Sequence, residues 1–332
     1  MKAASLIVLA AFLCCGCQHA NEPDPGSGGG AVSAEAGIRV VATVGMVADL
    51  VRQVGGDRVQ VTQMMGAGVD PHLYNATRDD VQTIMNGDLV FYSGLMLEGK
   101  LIDTLEKMAE RKPVIAITSD LARDTLLEPE DMHGHFDPHV WMDVSAWSQC
   151  VDRIAATLAE HDPPHADQYR KNASEYRRQL EQLHNYGRTC ISSIPEDSRV
   201  LVTSHDAFNY LGRAYGLDVQ GVQGISTESE AGLQRVNDLV DMLVSRSVRA
   251  VFVESSVPRK SISALLEGAR SRGHQVVIGG ELFSDAMGPA GTYEGTYIGM
   301  LDHNFTIITR ALGGTAPESG LNGKLTTTQP TE

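Results

Sequence analysis

Four residues stand where side-chain chemistry and local sequence coincide. His72 lies in Gly68-Val69-Asp70-Pro71-His72-Leu73-Tyr74, and His139 in Phe136-Asp137-Pro138-His139-Val140-Trp141-Met142-Asp143. His205 follows Val200-Leu201-Val202-Thr203-Ser204, and Asp285 lies in Glu281-Leu282-Phe283-Ser284-Asp285-Ala286-Met287-Gly288. Two fall in each half of the chain, 67 positions apart (139 − 72) and 80 apart (285 − 205). All four read as following apolar strands, and open α/β sheets bind ligands outside the carboxyl ends of their strands. Three imidazoles and one carboxylate supply a closed tetrahedral shell for Zn2+. Pro71 and Pro138 preset the backbone before two of the histidines, which favours a preformed site. The other histidines sit in or beside helices and turns (His161, His165, His184, His274, His303), in the N-terminal segment (His19), or in a loop (His133, His135), where solvated or capping roles are commoner. Nothing resembles HExxH. Residue type and spacing alone therefore leave a metal cleft level with an ordinary scatter of loop histidines.

The elements that must position these groups come in two series. Residues 38–44, 58–64, 89–92 and 114–117 read as strands, with helices over 47–54, 78–85 and 97–109. A second series has strands over 199–202, 218–222, 250–254 and 275–278, with helices over 207–215, 233–244, 260–271 and 294–312. Alternation of this kind predicts an α/β fold of two Rossmann-like (βα)4 lobes with parallel sheets. Between them, 145–160 reads as one helix and 164–191 as a longer one. Tyr169, Ala173, Tyr176, Leu180 and Leu183 recur at three- and four-residue intervals on it. At 1.5 Å per residue it would run roughly 40 Å, a stiff strut between lobes. The expected boundaries are 38–163 for the first lobe, 164–194 for the connection and 195–314 for the second lobe. A polar, disordered tail is expected over 315–332.

The chain has 332 residues and a formal net charge of −15. That length favours two domains, and an acidic chain without a basic block argues against nucleic acid as partner. Its one long apolar run, residues 3–13, is too short to span a bilayer but suits a secretory signal over 1–16. The run ends in Cys14-Cys15-Gly16-Cys17, which resembles a bacterial lipobox with Cys17 as the lipidated residue. Cys15 is the alternative, and cleavage without lipid is the plainer one. A Pro/Gly-rich stretch follows to residue 37 and reads as a flexible tether. Cys150 and Cys190 match no metal-ligand spacing; buried thiols are the commoner outcome, a disulfide the rarer.

Five blocks carry a resemblance: GVDPHLYNAT (68–77), DPHVWMD (137–143), TSHDAFNY (203–210), VFVESSVPRKSI (251–262) and LFSDAMG (282–288). In order and content the chain resembles the TroA-like family, solute-binding family 9, the metal-binding proteins of ABC importers. The resemblance implies two α/β lobes joined by one long helix, with a metal site in the cleft between them. It implies His72, His139, His205 and Asp285 as ligands. Manganese-type members often carry Glu at the third position, so His205 ranks zinc first and manganese second, in line with the affinity order of divalent metals. Only His133-Gly134-His135 stands where zinc-specific members carry a His-rich loop, and these two read as solvated. Glu254, at a strand end, is a candidate to fix an imidazole tautomer. The implied function is capture of Zn2+ or Mn2+ by a lipid-anchored, exported, monomeric protein, periplasmic or at the cell surface. The metal would pass to a permease with its ATPase. A surface adhesin with a structural metal is the alternative reading; a zinc hydrolase, which needs an open coordination position for water, is a weaker one.

Overall fold

The computed structural model describes residues 37–129 and 134–326. The signal segment, Cys17, nearly all of the tether, His19, His133 and residues 327–332 lie outside the described residues.

The first half consists of β1 (Ile38–Ala42), α1 (Gly45–Gly55), β2 (Val59–Gln63), α2 (Arg78–Asn86), β3 (Leu89–Tyr92), α3 (Ile102–Ala109) and β4 (Val114–Ala116). All pairings are parallel, in the order β2-β1-β3-β4. The central strands are nearly continuous apolar runs buried on both faces, whereas edge strand β2 alternates intermediate and exposed residues. Thr77 and Asp80 close a capping box at the start of α2. Asp80 also accepts from the Tyr74 hydroxyl at 2.8 Å, which ties down the loop carrying His72. The predicted helix over 97–109 begins late, with a single tight turn over Gly99–Leu101; just ahead of it Gly94, Leu95 and Met96 have positive φ values of 93°, 54° and 65°.

The predicted helix over 145–160 is two helices, α4 (Val144–Trp147) and α5 (Cys150–His161). The Ser148 hydroxyl bonds the Ser145 carbonyl at 2.9 Å at the break, competing with the backbone ladder. Next comes α6 (Ala166–Ser192), 27 residues long. Its buried stripe runs through Tyr169, Ala173, Tyr176, Leu180, Leu183, Gly187 and Ile191.

The second half consists of β5 (Val200–His205), α7 (Asn209–Tyr215), β6 (Asp218–Gln223), α8 (Leu233–Ser245), β7 (Ala250–Glu254), α9 (Lys260–Ser271), β8 (Val277–Leu282) and α10 (Tyr297–Ala311). Parallel pairs β5–β6 and β7–β8 lie side by side through β5 and β7. The arrangement echoes the first half. The last strand departs from its expected range of 275–278: it starts later and runs to Leu282 through Gly279-Gly280. Its exposed residues and glycines hide it from a hydrophobicity reading.

Helix α6 is fixed to both halves. Tyr176 donates to Asp49 on α1 at 2.7 Å, and Asn172 donates to the Val54 carbonyl at 2.9 Å. Near its other end, the Tyr186 hydroxyl meets Thr306 on α10 at 2.8 Å. Gly187 admits the Phe305 ring so closely that a Cβ would fall 2.6 Å from it.

Residues 315–326 correct the expected disorder of the tail. Ala316 and Leu325 are buried, Leu321 N–H donates to Asp302 at 2.8 Å, and Arg310 pairs with Glu318 at 3.0 Å. A buried carboxylate on α10 anchors a segment whose composition looked merely polar. Among the described residues no helix is long and apolar enough to cross a membrane.

Candidate metal centre

Two Asp-Pro-His turns present the first two imidazoles. In each, the Asp carboxylate accepts the backbone N–H of the His two residues on: Asp70 to His72 at 2.8 Å and Asp137 to His139 at 2.9 Å. This is an Asx-turn, with Pro supplying the fixed φ. Asp137 also meets His139 Nδ1 at 2.7 Å. A carboxylate only accepts, so Nδ1 carries the proton and Nε2 faces the site. Across the molecule, Asn209 donates to Asp137 Oδ2 at 3.2 Å and the Tyr210 hydroxyl to the Asp137 carbonyl at 2.9 Å. His139 is thus set by this turn and the short helical turn over Val140–Met142, well beyond β4 rather than directly off a strand.

His205 is the last residue of β5, and Glu254 the last residue of β7. Glu254 accepts the His205 backbone N–H at 2.9 Å and lies 2.6 Å from its Nδ1. Asp285 follows β8 by three residues. Asn304 holds that turn by bonding both the N–H and the carbonyl of Phe283, at 3.0 and 2.7 Å. Trp141 Nε1 donates to the Ser284 carbonyl at 2.9 Å, joining the His139 turn to the Asp285 turn.

The four side chains converge. One ligand atom from each lies within 4.8 Å of the others, and all four residues are buried. His72 Nε2 is 3.3 Å from His139 Nε2 and 3.9 Å from Asp285 Oδ2. His139 Nε2 is 3.3 Å from Asp285 Oδ1, and His205 Nε2 is 3.1 Å from Asp285 Oδ2. A tetrahedral Zn2+ with bonds of about 2.0–2.1 Å has donor-to-donor edges of about 3.3 Å. His205 Nε2 and both Asp285 oxygens are buried without a hydrogen-bond partner among the described residues. Buried polar atoms of that kind call for an occupant.

Electrostatics divide the three imidazoles. Burial pushes His72 down to about 4, with the other two rings adding to the effect and Asp285 opposing it. Burial also opposes charge on His139, but Asp137 and Asp285 outweigh it and raise this ring to about 9. His205 moves the same way, well above the ordinary histidine range, because Asp285 and Glu254 outweigh its burial. Asp285, despite its burial, is held well below the usual carboxylate range by His205 and His139.

All four residues singled out in the sequence come together, and Glu254 stands against His205. Sequence reasoning missed Asp137 and Asp70 as holders of His139 and His72; both were visible as the first residue of each Asp-Pro-His. Other described histidines serve elsewhere: His161 is exposed at the end of α5, His165 lies beside Asp162, His184 beside Tyr215, and His274 and His303 on backbone carbonyls. His135 is exposed at the rim of a cleft of about 330 Å3 that also includes His72, Met96, Lys100, Phe136, Ile225 and Glu228. A larger groove of about 940 Å3, between α5 and α6, contains none of the four. Cys150 and Cys190 are buried free thiols.

Parallel α/β halves, one long helix fixed to both, and a buried His3Asp cluster between them define a two-lobed metal-binding protein. The chain belongs to the ZnuA family, zinc-uptake complex component A, periplasmic, whose model matches residues 40–311. It is 47% identical over 306 residues to the manganese-binding lipoprotein MntA of Bacillus subtilis, covering 92% of this chain and 97% of that one. It is 44% identical over 273 residues to the zinc-binding protein TroA of Treponema pallidum, covering 82% and 88%. The solved structure of the periplasmic TroA superposes with a TM-score of 0.81 at 43% identity, over 83% of this chain and 99% of that one.

Proposed function

We propose that this protein captures a divalent transition metal outside the cytoplasmic membrane and delivers it to the permease of an ABC importer. His72, His139, His205 and Asp285 are its ligands. The observation that carries this reading is the set of four buried, mutually close ligand atoms; those of His205 and Asp285 have no hydrogen-bond partner among the described residues. Zinc ranks first, because imidazole-rich sites suit it and Mn2+ stands lowest in the affinity order. Manganese ranks second: both oxygens of Asp285 face the imidazoles, and a bidentate carboxylate adds oxygen character that Mn2+ favours. The names of the two relatives span the same pair of metals.

A shell filled by four protein residues leaves little for a hydrolytic water, which supports a carrier over a zinc hydrolase. The adhesin reading has no observation of its own to favour it. The relatives named lipoproteins support export and a lipid anchor; in this reading the anchor is on Cys17, residues up to 37 are the tether, and the protein acts as a monomer. Lobes over 38–163 and 195–314, linked by 164–194, complete the proposal.

Titrating the demetallated protein with zinc and with manganese tests it. One ion per chain is expected, with zinc the tighter, and His205→Ala should weaken zinc binding at least about tenfold. Absence of binding, or an affinity indifferent to His205→Ala, would overturn the assignment.

A further inference from the structure

The four proposed ligands are not fastened alike. His139 and His205 are each gripped at ring Nδ1 by a buried carboxylate, Asp137 at 2.7 Å and Glu254 at 2.6 Å. Asp285 sits in a turn pinned on both sides by Asn304. His72 is gripped through its backbone: its N–H donates to Asp70 Oδ1 at 2.8 Å, and its ring contacts run to His139 and Asp285. It is also the ligand that borders the 330 Å3 cleft.

The other oxygen of Asp70 reaches across the molecule. Asp70 Oδ2 accepts from the Thr227 hydroxyl at 2.6 Å, and Thr227 lies in the loop between β6 and α8 of the second half. Thr227 is itself buried. One residue on, Glu228 pairs with Lys100 of the first half at 3.6 Å, with side chains 53% and 36% exposed. A single carboxylate therefore joins the His72 turn to a loop of the opposite half, beside the cleft. Hydrogen bonds to a charged acceptor are among the stronger ones, and this one is partly shielded from water.

Resting on the reading of His72 as a ligand, we propose that Thr227 is a positioning residue that latches the metal centre shut. Its hydroxyl holds Asp70, Asp70 holds the backbone of His72, and breaking that bridge frees His72 first and opens the cleft for release. The exposed Lys100–Glu228 pair adds little, as surface ion pairs do.

The test uses the full chain loaded with zinc. Thr227→Val keeps the branched shape and removes the donor; Thr227→Ser keeps the donor. Zinc loss to a chelator, followed by stopped flow, should speed up about tenfold in Thr227→Val, as expected for a lost hydrogen bond to a charged group, and stay near the parent rate in Thr227→Ser. Lys100→Ala should change the rate by less than about twofold. Amide exchange supplies a second reading: in Thr227→Val the His72 amide should exchange faster, while the His139 and His205 amides, bonded to Asp137 and Glu254, keep their protection. An unchanged rate in Thr227→Val overturns the latch. So does a Ser variant as fast as Val, a tenfold effect of Lys100→Ala, or equal loosening of all three amides. If the parent protein holds no zinc, the ligand assignment falls, and exchange of the His72 amide in the zinc-free variants alone decides the bridge.

Discussion

Each carboxylate that fixes an imidazole at this site also attracts a proton to it. In the metal-free protein, Asp137 and Asp285 raise His139 to about 9, so at neutral pH that ring is charged and Nε2 is blocked. A metal ion must displace the proton, because only a neutral imidazole ligates. Affinity should therefore climb as pH rises through neutrality toward 9, by about a factor of ten per unit for each displaced proton. Competition with a chelator at several pH values measures this, and a flat profile between pH 7 and 9 would contradict it. The stability of the empty protein should run the other way. A histidine raised on folding contributes stability that is fully present below its unfolded value and is lost as pH passes through about 9. The ligand types were legible in the sequence, since His, Asp and their Pro-preset turns are local features. The proton on His139 was not, because Asp285 approaches it from the far half of the chain.

At the scale of elements, the sequence period located the buried stripe of α6 but not its partners. Tyr169, Ala173, Tyr176, Leu180 and Leu183 repeat as an amphipathic helix must, whatever it packs against. That Tyr176 meets a buried carboxylate on α1 depends on two helices crossing at one place. Burial raises Asp49 above the ordinary carboxylate range, with the Tyr176 hydroxyl and the Tyr297 backbone offsetting part of that. Tyr176→Phe should destabilise the fold by about 1–3 kcal/mol at pH 7, because an acceptor buried without its donor bears the desolvation cost. The loss should shrink as pH falls and Asp49 takes up a proton, which a comparison of denaturant midpoints at pH 7 and pH 4 would detect. Equal losses at both values would mean that the carboxylate does not matter to the contact. The split of the expected helix over 145–160, and the displaced last strand, were illegible for a related reason. Ser148 bonding back on Ser145, and glycines in an exposed edge strand, leave the hydrophobic period undisturbed or absent.

For the whole molecule, the proposed site is drawn from both halves, so metal binding would be a property of their packed arrangement. His72 and His139 come from the first half, His205 and Asp285 from the second, and the bonds of Trp141 to Ser284 and Tyr210 to Asp137 hold those turns together. An ion that binds the folded chain alone should stabilise it by about 2.7 kcal/mol at a free concentration a hundredfold above Kd. Zinc removal should lower the melting temperature accordingly in one cooperative transition; separate melting of the halves, with only one responding to zinc, would disprove the shared site. By itself, the sequence determined the alternation of strands and helices and the long helix, and it singled out four candidate ligands that the family resemblance then favoured. These follow from periodicity, turn chemistry and donor type, all local to a few neighbouring residues. Only the tertiary structure decided that the four donors converge within 4.8 Å, that Asp137 and Glu254 grip two of the rings, and that Asp70 is bridged to Thr227. Those contacts join residues far apart in the chain, and distance along the chain carries no information about distance in space until the halves have packed.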